Sequence, residues 1–379
     1  MLSECLNSSL YSAKRSAIRE FSRLAKETPG CLSLTLGEPD FDTPERVCSA
    51  VGEAFAHHET HYIENNGTLA LRESIACFER ERNGMDYTAD EVIVTAGATE
   101  ALFVALYGVL NPGDEVIVPT PAFVLYEQII NLCRGVYVPM DTSDDAFQIS
   151  AEKLSSLITP RTKAIVINSP NNPTGCIYTH ESLDAIYRAV KGKDIFVICD
   201  DVYRQLIYTA SYTSFATYRD LREQLLVVQS FSKPYAMTGW RVGYLLSDRS
   251  IKQHLELLHQ FLVVSAPAPF QRACAAALEH DTSDFVACYK KRRDYVCHRL
   301  KEMGLELMEP EGAFYAFPSI AKFGLTSAEF CRRMIREAGL AVTPGFCFGS
   351  DRHIRISYCC ADEVLQDGMD RLERFIHSL

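Results

Sequence analysis

A chain of 379 residues, 47% hydrophobic and 23% charged, has material for one large α/β unit or two domains with a sizeable core, and argues against a disordered chain. A formal net charge of −11 argues against nucleic acid or an anionic membrane as partner, since both demand basic surface. The 14 cysteines form no C-x-x-C pair and no metal-ligand spacing with histidine; they read as buried free thiols in a reducing compartment, Cys77, Cys199 and Cys274 among them, and no metal is expected.

No run approaches the roughly 20 apolar residues of a membrane span. Met1 to Glu27 mixes apolar with charged residues and has no signal-peptide core, so a cytoplasmic protein is expected. Ser12 to Lys26 has helical spacing through Ile18, Phe21 and Leu24. Leu34 to Pro44, with Gly37-Glu38-Pro39-Asp40-Phe41, is an ordered loop punctuated by Gly and Pro. A second loop, His61 to Gly67, carries Tyr62 and precedes a helix at Leu71-Arg72. Glu91 to Thr95 reads as a strand, Ala96-Gly97-Ala98-Thr99 as a tight turn, and Glu100 to Leu110 as a helix. Free N–H groups at such a helix start suit a phosphate, although the turn is neither G-x-G-x-x-G nor a Walker loop, and an ordinary strand-to-helix turn has the same pattern. Glu115 to Pro119 is the next strand; Phe123 and Tyr126 follow it, and an aromatic there stacks on a flat ring or joins the core.

Lys163 to Asn168 reads as a strand, followed by Ser169-Pro170-Asn171-Asn172-Pro173-Thr174-Gly175. Two prolines and a glycine freeze this loop and present an amide able to donate to a phenolate oxygen. Phe196 to Tyr203 is a strand ending in carboxylates: Asp200 faces a pocket, where it can keep a ring nitrogen protonated, and Asp201 is expected to face solvent. Leu225 to Val228 leads into Gln229-Ser230-Phe231-Ser232-Lys233-Pro234 and Thr238-Gly239-Trp240-Arg241-Val242-Gly243. Taken alone, Lys233 reads as a surface-loop lysine; desolvated, it becomes a nucleophilic amine able to form a Schiff base. Apolar strands alternating with helices predict a mostly parallel sheet, and ligands bind outside the carboxyl ends of such strands. Ala98, Phe123, Asn172, Asp200 and Lys233 all stand at such ends.

The remainder follows another rhythm, that of a smaller α+β domain. Ser250 to Glu279 is helical with a break at Pro267 and Pro269, and Asp284 to Met303 is a long helix. Glu311 to Pro318 reads as a strand, Ser327 to Ala338 as a helix, His353 to Tyr358 as a strand, and Val364 to Leu379 as a closing helix. Arg355 points to the face opposite Ile354 and Ile356; by itself it reads as an edge-strand arginine in water.

These motifs carry a resemblance. S-x-S-K followed by T-G-W-R-x-G, together with G-E-P-D-F-x-T-P, Y-x-x-x-x-G-x-x-x-L-R, N-x-P-N-N-P-T-G and R-I-S-Y, resembles the class I/II aminotransferases of the aspartate aminotransferase family, fold type I. The likeness runs from about Ile18 to the end and is nearest to bacterial enzymes acting on N-acetyl-L,L-diaminopimelate, in lysine synthesis, or on aromatic amino acids. It implies an α/β fold with a large cofactor domain over residues 45–282 and a smaller α+β domain from residues 1–44 and 283–379. It implies pyridoxal 5'-phosphate bound to Lys233, which then serves as general base and acid. Asp200 would hold the ring nitrogen, Asn172 and Tyr203 the ring hydroxyl, and Phe123 the ring face. Ala98, Thr99, Ser230, Arg241 and, from a neighbouring subunit, Tyr62 would hold the phosphate. Gly37, Asn172 and Arg355 would bind the substrate α-carboxylate. The partners implied are an amino acid and a 2-oxo acid, 2-oxoglutarate foremost, in a ping-pong reaction within a homodimer that shares its active sites.

The chain departs from the family after Phe348-Gly349, where Ser350-Asp351-Arg352-His353 replaces a longer Gly-rich stretch. Where aspartate-type members carry an arginine for a distal carboxylate, this chain has Phe261, which covers an aromatic or long donor or else packs in a dimer core. Two alternatives remain at this stage: a carbon–sulfur β-lyase on the same scaffold, and a cofactor-sensing regulator, which would carry an appended DNA-binding domain.

Overall fold

The computed structural model of the chain describes residues 5–12, 17–209 and 212–379. Among these, twelve strands build three sheets: β1 (Leu32–Ser33), β2 (Val92–Thr95), β3 (Glu115–Thr120), β4 (Val136–Asp141), β5 (Thr162–Asn168), β6 (Phe196–Asp200), β7 (Leu225–Ser230), β8 (Gly243–Ser247), β9 (Tyr315–Ala316), β10 (Leu340–Ala341), β11 (Thr343–Pro344) and β12 (Ile354–Ser357). The main sheet has the order β2-β8-β7-β6-β5-β3-β4. Only β8 runs antiparallel to its neighbours, so the other six strands end along one edge. Every residue of β7 is buried, as expected of a strand covered on both faces by helices.

Apolar clusters fill both faces of this sheet, and a separate one joins Phe21, Leu34, Tyr289, Phe330, Ile356, Met369 and Leu372 with Tyr203 and Leu206. Thr343↔Arg355 and Ile356↔Ala316 set the register of the β11-β12-β9 sheet. Local chemistry explains the helix bounds. Thr326 accepts from Glu329 N at 3.2 Å to start Ser327–Ala338, and Gly339, at φ +62, ends it. No helix among the described residues is long and apolar enough to cross a membrane.

Several elements differ from expectation. The helix expected over Ser12–Lys26 runs Ala17–Glu27; residues 13–16 lie outside the described residues. Glu91 belongs to a 3-10 turn, because its carboxylate reaches back to the Thr88 N–H at 2.9 Å. The strand expected over Glu311–Pro318 is a strand only at Tyr315–Ala316: Glu311 and Gly312 both donate to the Gly175 carbonyl, and Gly312 makes an isolated antiparallel bridge with Ile207. The sequence pattern does not mark β4 or β8 as strands; β4 is a half-exposed edge strand that carries Pro139.

Asp201 is buried rather than solvent-facing. Arg204 lies 3.3 Å from its carboxylate, Ser214 donates to it at 2.6 Å, and Arg204 also binds the buried Glu79 at 2.6 Å. Arg355 sits not on an edge strand in water but, buried, on the central strand of its sheet. Cys199 and Cys274 are buried free thiols, whereas Cys77 is partly exposed and bonded to Glu81.

Candidate active site

Beyond the carboxyl edge of the main sheet lies a cavity of about 290 Å3. Every predicted site residue except Tyr62 lines it: Gly37, Ala98, Thr99, Phe123, Asn172, Asp200, Tyr203, Ser230, Lys233, Arg241 and Arg355. Tyr62 stands apart, 89% exposed. The cavity is lined by three cationic side chains and one carboxylate, Asp200, in a chain of net charge −11. It is therefore a local trap for anions.

Lys233 donates to the Gly37 carbonyl at 2.6 Å, which ties the strand-end loop after β7 to the loop after β1. Burial lowers its amine to about 8, so about a tenth is unprotonated and nucleophilic at pH 7, far more than for a lysine in water. Asp200, the last residue of β6, is pushed up to about 6 by burial, against the Tyr126 hydrogen bond that favours its charged form. The Tyr126 hydroxyl donates to Asp200 Oδ2 at 2.5 Å. Oδ1 is buried without a partner, an acceptor that awaits a donor.

Asn168 couples two neighbouring segments: its Nδ2 donates to the Asp200 carbonyl at 2.7 Å, and its Oδ1 accepts from Asn172 N at 2.8 Å. Asn172 Oδ1 in turn accepts from Arg355 Nη1 at 2.9 Å, while Arg355 Nη2 donates to the Thr35 carbonyl at 2.6 Å. No carboxylate among the described residues pairs with Arg355. Its guanidinium, 4.4 Å from the Tyr315 ring centroid and 4.8 Å from that of Phe348, is held in place yet uncompensated. Tyr203 and Tyr315 share a hydrogen bond at 2.8 Å.

The Ala98–Val109 helix leaves the Ala98 and Thr99 N–H groups without intrahelical acceptors. Arg241, in a left-handed conformation at φ +57, lays its guanidinium on the preceding turn: a Cβ on Gly97 would meet Nη2 at 2.6 Å, and Gly97 itself has φ +81. Gly243 lets β8 approach the same turn, since a Cβ there would stand 2.8 Å from Ala98 N. Two glycines thus let a helix N-terminus and an arginine converge on one point. The short Ser350–His353 segment is anchored rather than loose: Asp351 accepts from Ser327 N at 2.8 Å, and Ser350 bonds His353 at 2.8 Å.

Tyr126 and Tyr315 went unassigned in the sequence. Tyr126 had a signal, three residues after Phe123 past the same strand; Tyr315 had none, since its partners come from remote segments.

These groups suit a phosphorylated pyridine. The orphaned Asp200 oxygen fits a ring N–H, the helix N-terminus with Arg241 fits a phosphate, and the lowered amine fits a carbonyl. A mostly parallel sheet bearing this set at its carboxyl edge defines the pyridoxal-phosphate enzymes of fold type I. A sequence model of the family "Aminotransferase class I and II" matches residues 29–372. The chain is 39% identical to a probable N-acetyl-LL-diaminopimelate aminotransferase of Bacillus subtilis, over 98% of this chain and 95% of that one. It is 36% identical to aromatic-amino-acid aminotransferase 2 of Thermococcus litoralis, over 98% of each. The solved structure of aspartate aminotransferase from Thermotoga maritima superposes with a TM-score of 0.94 at 36% identity, covering 98% and 100% of the two chains. The chain belongs to the class I and II aminotransferase family. It is a transaminase of amino acids and 2-oxo acids, and its cofactor is pyridoxal 5'-phosphate.

Proposed function

We propose that this aminotransferase takes its amino group from an aromatic or N-acetyl-L,L-diaminopimelate-like L-amino acid and passes it to 2-oxoglutarate in a ping-pong reaction. The observation that carries the donor assignment is Phe261, 83% exposed near the end of the Arg249–Val263 helix and followed by exposed Leu262, Val263 and Val264. No cation stands in that run to receive a second carboxylate, and the desolvation of such a group would go uncompensated. The relatives from Bacillus and Thermococcus bear the names of such activities, which is compatible with this choice.

The geometry supports the following residue roles. Arg355 grips the substrate α-carboxylate through its two-pronged guanidinium, with Asn172 beside it and Gly37 at the wall. Lys233, once free, would take the proton from the substrate Cα and give it back two atoms away, the 1,3-shift of a transamination. When bound, the cofactor supplies an electron sink for negative charge at Cα. Asp200 keeps the ring nitrogen protonated, Asn172 and Tyr203 hold the ring hydroxyl, and Phe123 covers the ring. Ala98, Thr99, Ser230 and Arg241 hold the phosphate, joined by Tyr62 of a second copy, whose exposure in the single chain accords with a homodimer sharing its sites. The large cofactor domain spans residues 45–282 and the small one 1–44 with 283–379, and 14 free thiols accord with a cytoplasmic enzyme.

The deciding experiment measures kcat/KM for phenylalanine, tyrosine, aspartate and N-acetyl-L,L-diaminopimelate with 2-oxoglutarate as common acceptor. Aspartate emerging as the best donor overturns the donor assignment.

A further inference from the structure

His259, on the Arg249–Val263 helix, has no exposed surface and no part in the chemistry above. Its Nδ1 lies 2.7 Å from Glu100 Oε1, and its Nε2 lies 2.6 Å from the Asn65 carbonyl. A carboxylate and a peptide carbonyl both accept, whereas a neutral imidazole has a single N–H to donate. Satisfying both contacts therefore takes a further proton, held between His259 and Glu100, and the pair carries no net charge.

Glu100 is the third residue of the Ala98–Val109 helix, within the turn assigned above to the phosphate. Its other oxygen accepts the Ala96 N–H at 2.5 Å and braces the bend between β2 and the helix. A lone carboxylate in that first turn would share the positive helix end with an incoming phosphate and repel it. On the other side of His259, Asn65 donates through its side chain to the Val264 carbonyl at 2.7 Å, which ties the segment after Tyr62 to the end of the Arg249–Val263 helix.

We propose that His259 is a positioning residue for the cofactor phosphate: it neutralises Glu100, so that Glu100 braces the strand-to-helix bend without opposing the phosphate at the same helix end. This rests on the reading of the Ala98 end of the helix as the phosphate cradle. His259 touches no cofactor atom in this scheme and acts through Glu100.

The test uses apoenzyme prepared from the holoenzyme and compares the Kd of pyridoxal 5'-phosphate with that of pyridoxal, which lacks the phosphate. His259→Gln leaves Glu100 charged and unpaired. The pyridoxal 5'-phosphate Kd then rises roughly tenfold or more, the effect of one unpaired unit charge over several ångströms at an effective dielectric of about 20, while the pyridoxal Kd holds. Glu100→Gln alone stays near the parent, because an amide and a neutral imidazole make the same two contacts. The double variant Glu100→Gln/His259→Gln returns to within about twofold of the parent, the margin expected when no charge is left uncompensated. An equal loss for both ligands in His259→Gln, or a double variant as weak as His259→Gln, overturns the proposal. Arg241→Gln separates the two levels of the argument. If it leaves the ratio of the two Kd values unchanged, the cradle reading falls and this proposal with it; if it changes the ratio while His259→Gln does not, this proposal alone falls.

Discussion

Replacing Tyr126 by phenylalanine removes one hydroxyl and leaves the ring in place. That hydroxyl donates to Asp200 Oδ2 at 2.5 Å, with both residues buried. Burial raises the Asp200 carboxyl to about 6, and among the influences that lower it the Tyr126 hydrogen bond comes first. Tyr126 is itself pushed well above the ordinary phenol range by burial and by the carboxylate, so it stays a donor throughout the working pH range. A hydrogen bond to a charged group contributes about 1.5–3 kcal/mol. At about 1.4 kcal/mol per pH unit, its loss raises the carboxyl by about one to two units, to between about 7 and 8. Binding that requires the carboxylate is present above this titration and lost as pH falls through it. Affinity for pyridoxal 5'-phosphate should therefore begin to fall near pH 6 in the parent apoenzyme and at about pH 7 to 8 in Tyr126→Phe. Fluorescence titration of the apoenzymes across this range reads the shift. The 1-deaza analogue of the cofactor, which lacks the ring nitrogen, serves as control and should show no displacement between the two proteins. Superimposable pyridoxal 5'-phosphate profiles would refute the argument.

Lys233→Ala should fold normally by circular dichroism, lose borohydride-fixable cofactor, and fall in turnover by roughly 10^2–10^4-fold or more, as expected for a lost proton-transfer group; near-normal turnover removes the assignment. Asp200→Asn should separate stability from chemistry. The native carboxyl keeps its proton up to about 6, whereas the unfolded one releases it from about 3.8, so the charged form costs the fold about 3 kcal/mol above pH 6 and nothing below pH 3.8. The Asp200→Asn apoenzyme should thus match or exceed the parent in urea resistance at pH 8 while its turnover collapses; lower resistance there contradicts the reasoning. Arg204→Met strands Glu79 and Asp201 as buried carboxylates and should cost about 3–5 kcal/mol in urea unfolding, against less than about 1 kcal/mol for Arg23→Met, whose pair with Glu27 is exposed.

Much of the site was legible because most of its motif residues, Tyr62 apart, lie within a few positions of a strand end. A buried strand is visible as an apolar run, and in a parallel sheet its carboxyl end is where ligands bind, so Asn172, Asp200 and Lys233 could be grouped before any coordinates. The same local logic failed at Asp201. Alternation correctly sets it on the face opposite Asp200, but a sheet covered on both sides has no solvent face, and a helix brings Glu79 while the chain turns to supply Arg204. Arg355 was legible as a candidate for the site, whose cavity it lines, yet its burial on a central strand was not, because a four-residue strand carries no mark of its neighbours.

By itself the sequence determined which groups are candidates for the chemistry: the lysine, the carboxylate, the amide and the arginine, each in a motif whose local backbone chemistry is written in its own prolines, glycines and strand ends. Only the tertiary structure decided the burial and the pairings on which that chemistry depends. Tyr126 meets Asp200 across 74 residues, Tyr203 meets Tyr315 across 112, and His259 meets Glu100 across 159. Desolvation and hydrogen bonding at such contacts depend on what the fold packs around a group, and no periodicity along the chain encodes that environment.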